Sequence, residues 1–282
     1  MVVFELHQEK GYSINKLCEA IGVSRSGYYK WLDRAPSEQE ITTEALAVEI
    51  KRVYDESDST YGVERVKLAI ERELGIVINI KRVRRIMRIL GISSVIRRKR
   101  PNYVKSNPEH TYENVINREF TASKPNEKWF TDVTYLKVCS TNVYLSAIID
   151  IYDQSIVAWK ISYTNDNQLV KDTLELAFEA NPDAKPYIHS DRGCQYTSGM
   201  YREMSLKHGF KISMSRVSKC LDNQPIESFW GTLKSEYYYR NKFDSFESLV
   251  EGIQSYISRY MHKRYVKKFG GLTPAEFRIL AA

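Results

Sequence analysis

The sequence predicts an α/β domain, a mixed five-stranded sheet flanked by helices, preceded by all-α units. Three observations carry this. Up to about residue 92, apolar residues recur at helical spacing in almost every segment. From residue 124, short β-branched and aromatic runs alternate with helical ones. Between them lies a polar stretch with Pro101 and Pro108, entered through a basic block.

Residues 1–36 read as a first helical unit. In INKLCEAIGVSRSGYYKWL (14–32), Leu17, Ala20 and Ile21 share one helix face, Gly22 permits a turn and Ser24 caps a second helix. Tyr28, Trp31 and Leu32 are expected to face back onto the first. The pattern suits a helix-turn-helix that enters a major groove and, equally, a plain helical hairpin. Residues 37–43 (SEQEITT) are polar and show no period. The second unit, 37–105, is expected to be a basic helical DNA-binding domain. EALAVEIKRVYDES offers Ala45, Ala47, Ile50 and Val53/Tyr54 as an apolar face. TYGVERVKLAIERELG supplies a second helix. INIKRVRRIMRILGI supplies a third, with Asn79 as its cap and Ile80, Val83, Ile86, Met87 and Leu90 inward. Its basic residues fall on the other face, again as in a helix-turn-helix.

A linker is expected over 106–123, the sheet domain over 124–240 and a helical tail over 241–282. EKWFTDVTYLKV (127–138), YLSAIIDIY (144–152) and SIVAWKIS (155–162) read as strands joined by turns short enough for hairpins. A helix (167–180), a strand (186–191), a helix (198–210), a strand (211–216) and a helix (223–240) follow.

Composition narrows the function. At 43% apolar and 27% charged residues, the 282-residue chain is ordinary for a globular protein. A disordered, collagen-like or disulfide-knotted chain is excluded. No apolar run reaches the ~18–20 residues that span a bilayer, and MVVFELHQEK lacks the pattern of a secretion signal. Cys18, Cys139, Cys194 and Cys220 form no CxxC pair or zinc pattern. A cytoplasmic protein with reduced thiols is therefore expected. The net charge is +7, and residues 81–105 hold ten Lys or Arg and no acid. Such a block is a footprint for nucleic-acid phosphates. Arg82, Arg84, Arg85, Arg88, Arg97, Arg98, Lys99 and Arg100 are the candidate DNA contacts.

Three acids stand where the element order makes them meet. Asp132 lies in the first strand among Trp129, Phe130, Val133 and Tyr135, where a carboxylate is costly unless paired or metal-bound. Asp191 ends the fourth strand, at the carboxyl edge where α/β sheets bind ligands. Glu227 lies one turn into the helix after the fifth strand. Three carboxylates around one crevice are hard oxygen ligands for Mg²⁺ or Mn²⁺. Two such ions can clamp the attacking and leaving oxygens of an in-line phosphoryl displacement. Lys234, seven residues after Glu227, shares nearly its helix face and could reach a phosphate. Of the competing acids, Asp150 reads as a strand-end turn residue, Asp222-Asn223 as a helix cap and Glu236 as a surface residue. Phe229 and Trp230 read as core residues that fix the Glu227 helix.

WFTDVTY (129–135), HSDRGCQYTS (189–198) and DNQPIESFWGTLKSE (222–236) closely resemble the catalytic motifs of DDE transposases of the insertion-sequence family three type, relatives of retroviral integrases. Thirty-five residues separate Asp191 from Glu227, the spacing typical of that group. Residues 44–100 resemble the helix-turn-helix that precedes its integrase core, and GLTPAEF (271–277) its C-terminal signature. The resemblance implies an RNase H-like, retroviral integrase-like core. It implies Asp132, Asp191 and Glu227 as the catalytic and metal-binding triad, with Mg²⁺ (Mn²⁺ substituting), two ions in number. Supporting roles fall to His189, Gln195 and Asn223, although His189 reads equally well as a hydrogen-bonded strand-end residue.

The partners implied are double-stranded DNA at element ends and target, and an upstream-frame DNA-binding protein to which a frameshift can fuse the chain. A homo-oligomer on DNA and no membrane are implied as well, in the bacterial cytoplasm and on the nucleoid when bound. Gln224, Ser218 and Met261 depart from the usual pattern, and none removes a carboxylate. Two other readings stay open: a DNA-binding regulator or inactive remnant without chemistry, and a nuclease of the same fold that cuts without joining.

Overall fold

In a computed structural model of the chain, residues 2–96, 112–216 and 220–280 are described. The N-terminal unit has three helices, α1 (Val2–Lys10), α2 (Ile14–Ala20) and α3 (Arg25–Leu32). Gly22 makes the turn at φ +69°, and the Ser24 hydroxyl accepts from the Gly27 amide at 3.1 Å. The packing face differs from the one expected. Cys18 and Tyr28 are buried against Val3 of α1, with Ile14 and Leu17 alongside. Ala20, Ile21, Trp31 and Leu32 are exposed. Helix α1 covers the Cys18 side and so rotates the pair about its expected seam.

The basic domain packs α4 (Glu38–Glu56), α5 (Val63–Leu74) and α6 (Ile80–Ile89) around Ile50, Val53, Val66, Ile70, Val83 and Ile86. Helix α4 begins six residues earlier than expected. Ser37 and Glu40 form a reciprocal capping box, which turns the polar stretch into a first helical turn. Leu46 is buried and Ala45 exposed, because the larger side chain takes the core position. Leu90 lies past the end of α6 and is exposed. Asn79 caps α6, its side chain accepting from the Lys81 amide at 2.8 Å.

The sheet contains β1 (Lys128–Val138), β2 (Thr141–Asp150), β3 (Ile156–Ser162), β4 (Tyr187–Ser190) and β5 (Lys211–Met214), in the order β3-β2-β1-β4-β5. β1, β2 and β3 pair antiparallel, and β4 and β5 run parallel to β1. α7 (Asn167–Ala180) and α8 (Gly199–His208) cover one face over Trp129, Ile148, Leu174 and Tyr201. α9 (Gln224–Glu236) and α10 (Phe246–Lys263) cover the other over Phe130, Ile149, Trp230 and Ile253. Helices thus cover both faces of the sheet, so most of β2 and the start of β1 are buried on both sides, whereas the far end of β1 keeps Tyr135 and Lys137 in water. The mixed five-stranded α/β architecture is the one the sequence predicts.

The tail ends in α11 (Pro274–Ile279), opened by a capping box between Thr273 and Glu276. Arg278 reaches the β2–β3 turn, where its guanidinium pairs with the fully buried Asp150 and Asp153. Asp150 is therefore a strand-end residue, as expected, and also the anchor of the tail. Among the described residues, no helix is long and apolar enough to cross a membrane.

Candidate active site

The register of the sheet brings two of the three acids together. In the parallel β1–β4 ladder, Trp129 pairs with Ile188 and Phe130 with His189. Two residues further along each chain stand Asp132 and Asp191, level with one another beyond the last rung. Side chains alternate along a strand, so Asp132 shares the face of Phe130, beneath α9. The Trp230 indole N–H donates to Asp132 Oδ2 at 3.0 Å. The Gly193 amide donates to Asp191 Oδ1 at 2.8 Å. A Cβ at position 193 would lie 3.0 Å from that same oxygen, so glycine lets the backbone close on the carboxylate. Asn223, at the start of α9, donates through Nδ2 to the Thr131 carbonyl at 3.3 Å, which ties the helix to the residue just before Asp132. Glu227 is exposed one turn into α9.

The electrostatics follow from this placement. Burial pushes the Asp132 carboxyl up to about 8, with the negative charge of Asp191 adding to the effect and that of Glu227 adding less. Burial also raises Asp191, against the Gly193 hydrogen bond that favours its ionised form. Two carboxylates that resist ionising side by side are a donor set for a hard divalent cation. Among the described residues, no three His, Cys, Asp or Glu side chains already stand close enough together to hold an ion. The arrangement is thus a close pair of carboxylates with the third acid on the neighbouring helix, more open than the crevice expected from sequence.

Lys234 lies beside the pair. Its Nζ donates to Thr134 Oγ1 at 2.7 Å and sits 5.2 Å from the centre of the exposed Tyr135 ring. Burial lowers its pKa, and the charge of Asp132 opposes that shift. His189 is fully buried, its ring nitrogens bonded to the hydroxyls of Ser213 (2.9 Å) and Ser215 (3.0 Å). Burial lowers its pKa to about 4, so the ring is neutral at ordinary pH. Of its two sequence readings, this geometry fits the hydrogen-bonded strand-end residue. Gln195 is buried, and its amide donates to the Asn165 carbonyl and side chain at 3.1 and 2.7 Å, joining the loop after β4 to the turn before α7.

Sequence reasoning missed several roles. Trp230 touches Asp132 as well as filling the core. Tyr196 is buried with its hydroxyl 3.3 Å from Thr131 Oγ1, and burial together with the charges of Asp132 and Asp191 pushes its pKa well above the usual phenol value. Its only signal is its place within HSDRGCQYTS. Asp222 caps no helix: it is fully buried and accepts from Arg118, Arg216 and Asn114. Glu236 is no surface residue: it is buried between Arg264 and Arg65.

Of the basic candidates, Arg84, Arg85 and Arg88 are exposed on α6. Arg82 is half-buried and donates to Thr43 Oγ1 on α4 at 3.1 Å. Arg97, Arg98, Lys99 and Arg100 lie outside the described residues.

Known proteins share both halves of this chain. Family models described as integrase core domain match residues 122–220 and 227–280, and one described as HTH-like domain matches residues 42–100. The InsK protein for insertion sequence element IS150 of Escherichia coli strain K12 is 37% identical over 268 residues, 95% of this chain and 94% of its own length. The transposase InsF for insertion sequence IS3A of the same strain is 31% identical over 282 residues, with coverage of 98% and 97%. The transposase for insertion sequence element IS904 of Lactococcus lactis subsp. lactis strain IL1403 is 32% identical over 235 residues, with coverage of 83% and 92%. Among solved structures, the HTLV-2 integrase catalytic core domain in complex with magnesium aligns at 16% identity and a TM-score of 0.46, over 55% of this chain and 98% of that one.

Proposed function

The chain belongs to the IS3 family of DDE transposases, and from that premise we propose that Asp132, Asp191 and Glu227 are the carboxylates with which it cleaves and joins DNA. The observation that carries this reading is the pair Asp132–Asp191. They stand level just beyond the last rung of the parallel β1–β4 ladder, each with one oxygen already held by an N–H group.

The reaction is an in-line displacement at phosphorus. A water or a DNA 3′-hydroxyl gives up its proton and forms the new P–O bond as the P–O3′ bond breaks, and the leaving 3′-oxygen takes up a proton. Asp132 and Asp191, completed by Glu227, would hold Mg²⁺ ions, two in the reading proposed, with Mn²⁺ able to substitute. Such ions supply Lewis-acid stabilisation of the attacking and leaving oxygens. The chain's own residues do the positioning. The Trp230 and Gly193 N–H groups each hold one oxygen of an aspartate in place. The Asn223 amide keeps the start of α9, and with it Glu227, at a set distance from Asp132. Lys234 offers its ammonium to a phosphate beside the pair. An enclosed His189, bonded to Ser213 and Ser215, packs against Phe130 and stiffens the end of β4.

In the organisation proposed, residues 37–105 hold duplex DNA through Arg84, Arg85 and Arg88, residues 124–240 carry the chemistry, and 241–282 form the tail. Pairing two element ends calls for a homo-oligomer on DNA. Fusion to the upstream-frame protein would add end recognition, and the nucleoid in the bacterial cytoplasm is the place of action. Supercoiled plasmid incubated with the protein and Mg²⁺ or Mn²⁺ tests the site. Nicked circles are expected from the unaltered chain, and background levels from Asp191→Asn. Equal nicking by both would remove the reading.

A further inference from the structure

The mechanism leaves one buried acid of α9 unused. Glu236, the last residue of that helix, has a side chain only 6% exposed. Its Oε1 accepts from Arg264 Nη2 and from Arg65 Nη1, each at 3.0 Å. Its Oε2 accepts from Arg264 Nε at 3.1 Å and from the Tyr256 hydroxyl at 3.0 Å. Burial alone would raise its pKa. The two guanidiniums and the tyrosine outweigh burial and hold it ionised.

The three donors come from two separate parts of the chain. Tyr256 lies on α10 and Arg264 just past its end, whereas Arg65 lies on α5, the helix before the exposed arginines of α6. One carboxylate therefore joins the basic domain, the tail and the helix that bears Glu227 and Lys234. The same seam is held elsewhere. The Tyr61 hydroxyl donates to the Lys263 carbonyl at 3.1 Å, Lys267 pairs with Glu64 at 2.6 Å, and Arg72 donates to the Gly271 carbonyl. Of the basic-domain residues named at this seam, Arg65 is the one that reaches α9 itself.

We infer that Arg65 and Glu236 are positioning residues that couple the seat of the DNA-reading helices to the catalytic helix. A helix transmits displacement along its axis because each turn is bonded to the next. Glu236 is nine residues from Glu227, about 13 Å along α9 at the usual rise. A shift of α5 on binding DNA is felt at Glu236 through the Arg65 guanidinium, and from there at Lys234 and Glu227. The inference rests on α9 being the catalytic helix, but its test has a readout that needs no catalysis.

Arg65→Met and Arg65→Lys leave Glu236 paired with Arg264 and Tyr256, so the fold is retained. Hydrogen exchange of residues 233–237 in the full chain is the first readout. Arg65→Met is expected to speed it about tenfold, which corresponds to ~1.4 kcal/mol. Exchange in α7 and α8 stays unchanged, and Arg65→Lys restores much of the protection. The second readout is the split between binding and turnover. Arg65→Met lowers the nicking rate at saturating plasmid and leaves plasmid affinity within twofold. Unchanged exchange at 233–237, or faster exchange everywhere at once, would overturn the inference. A chain that nicks nothing yet shows the localised change would count against the catalytic reading and leave the coupling standing.

Discussion

At the scale of residues, single hydrogen bonds separate otherwise similar acids. Asp132 accepts from an indole N–H and is raised by burial first and then by the charge of Asp191, whereas Asp222 sits between two guanidiniums. Trp230→Phe removes the donor together with the ring that carries it, and so loses some core packing as well. It is expected to lower nicking about tenfold, the worth of one hydrogen bond, and to lower the thermal unfolding midpoint by a few degrees.

Asp222 gives a prediction of a different kind. Arg216 first, and then Arg118, hold its carboxyl well below the usual range against the opposing effect of burial. A carboxylate depressed in the folded state adds stability above its ordinary pKa, and that stability is lost as the pH falls from there toward the folded value. Asp222→Asn should therefore cost about 2 kcal/mol at pH 7, both arginines being partly solvated. The difference from the unaltered chain should shrink below about pH 4. Urea unfolding at pH 7 and pH 3 measures it. A difference that grew toward acid would contradict the assignment. Neither role was legible in sequence: the donors to Asp222 include Arg118, over a hundred residues away, and no local pattern announces them.

At the scale of elements, the sequence is most legible where its period is strong. The alternating runs of β1 to β3 and the apolar stripe of α6 predict their own partners, because a strand or helix with one apolar pattern has few ways to bury it. Faces are less legible than elements. The seam of α2 and α3 is hidden because α1, which has weak periodicity, takes part in it. The start of α4 is hidden because its signal is a cap, Ser37 with Glu40, rather than an apolar repeat.

The exposed face of α6 supplies the test at this scale. Arg84→Ala, Arg85→Ala and Arg88→Ala should each weaken duplex binding. Each should also lower the slope of log affinity against log salt by about 1 for every phosphate left without its cation. Anisotropy titrations across a salt series read both quantities. A slope unchanged in all three would place the DNA elsewhere.

At the scale of the whole molecule, the tail decides how the parts are held. GLTPAEF resembles a family signature in sequence. In the structure its cap sets α11 so that Arg278 enters the β2–β3 turn. Arg278→Met leaves Asp150 and Asp153 buried without a cation and should cost about 3–5 kcal/mol. Burial raises Asp150 to about 6, so the penalty should ease below that pH, where the protonated carboxyl needs no counter-charge. Chemical denaturation at pH 7.5 and pH 5 checks both statements. This long-range pairing lies beyond sequence reading, as does the placing of Glu236. The meeting of Asp132 and Asp191 is within its reach, since strand order and parity alone bring them to one edge and one face.

The central claim is that three carboxylates act as one site for phosphoryl transfer. Its most direct test is strand joining: a labelled duplex with a free 3′-hydroxyl is mixed with plasmid, Mg²⁺ and the protein, and label bound covalently to the plasmid is counted. The account predicts joined product from the unaltered chain and none above background from Asp132→Asn, Asp191→Asn or Glu227→Gln, each still folded and still binding DNA. Joined product undiminished in any one of the three would contradict it.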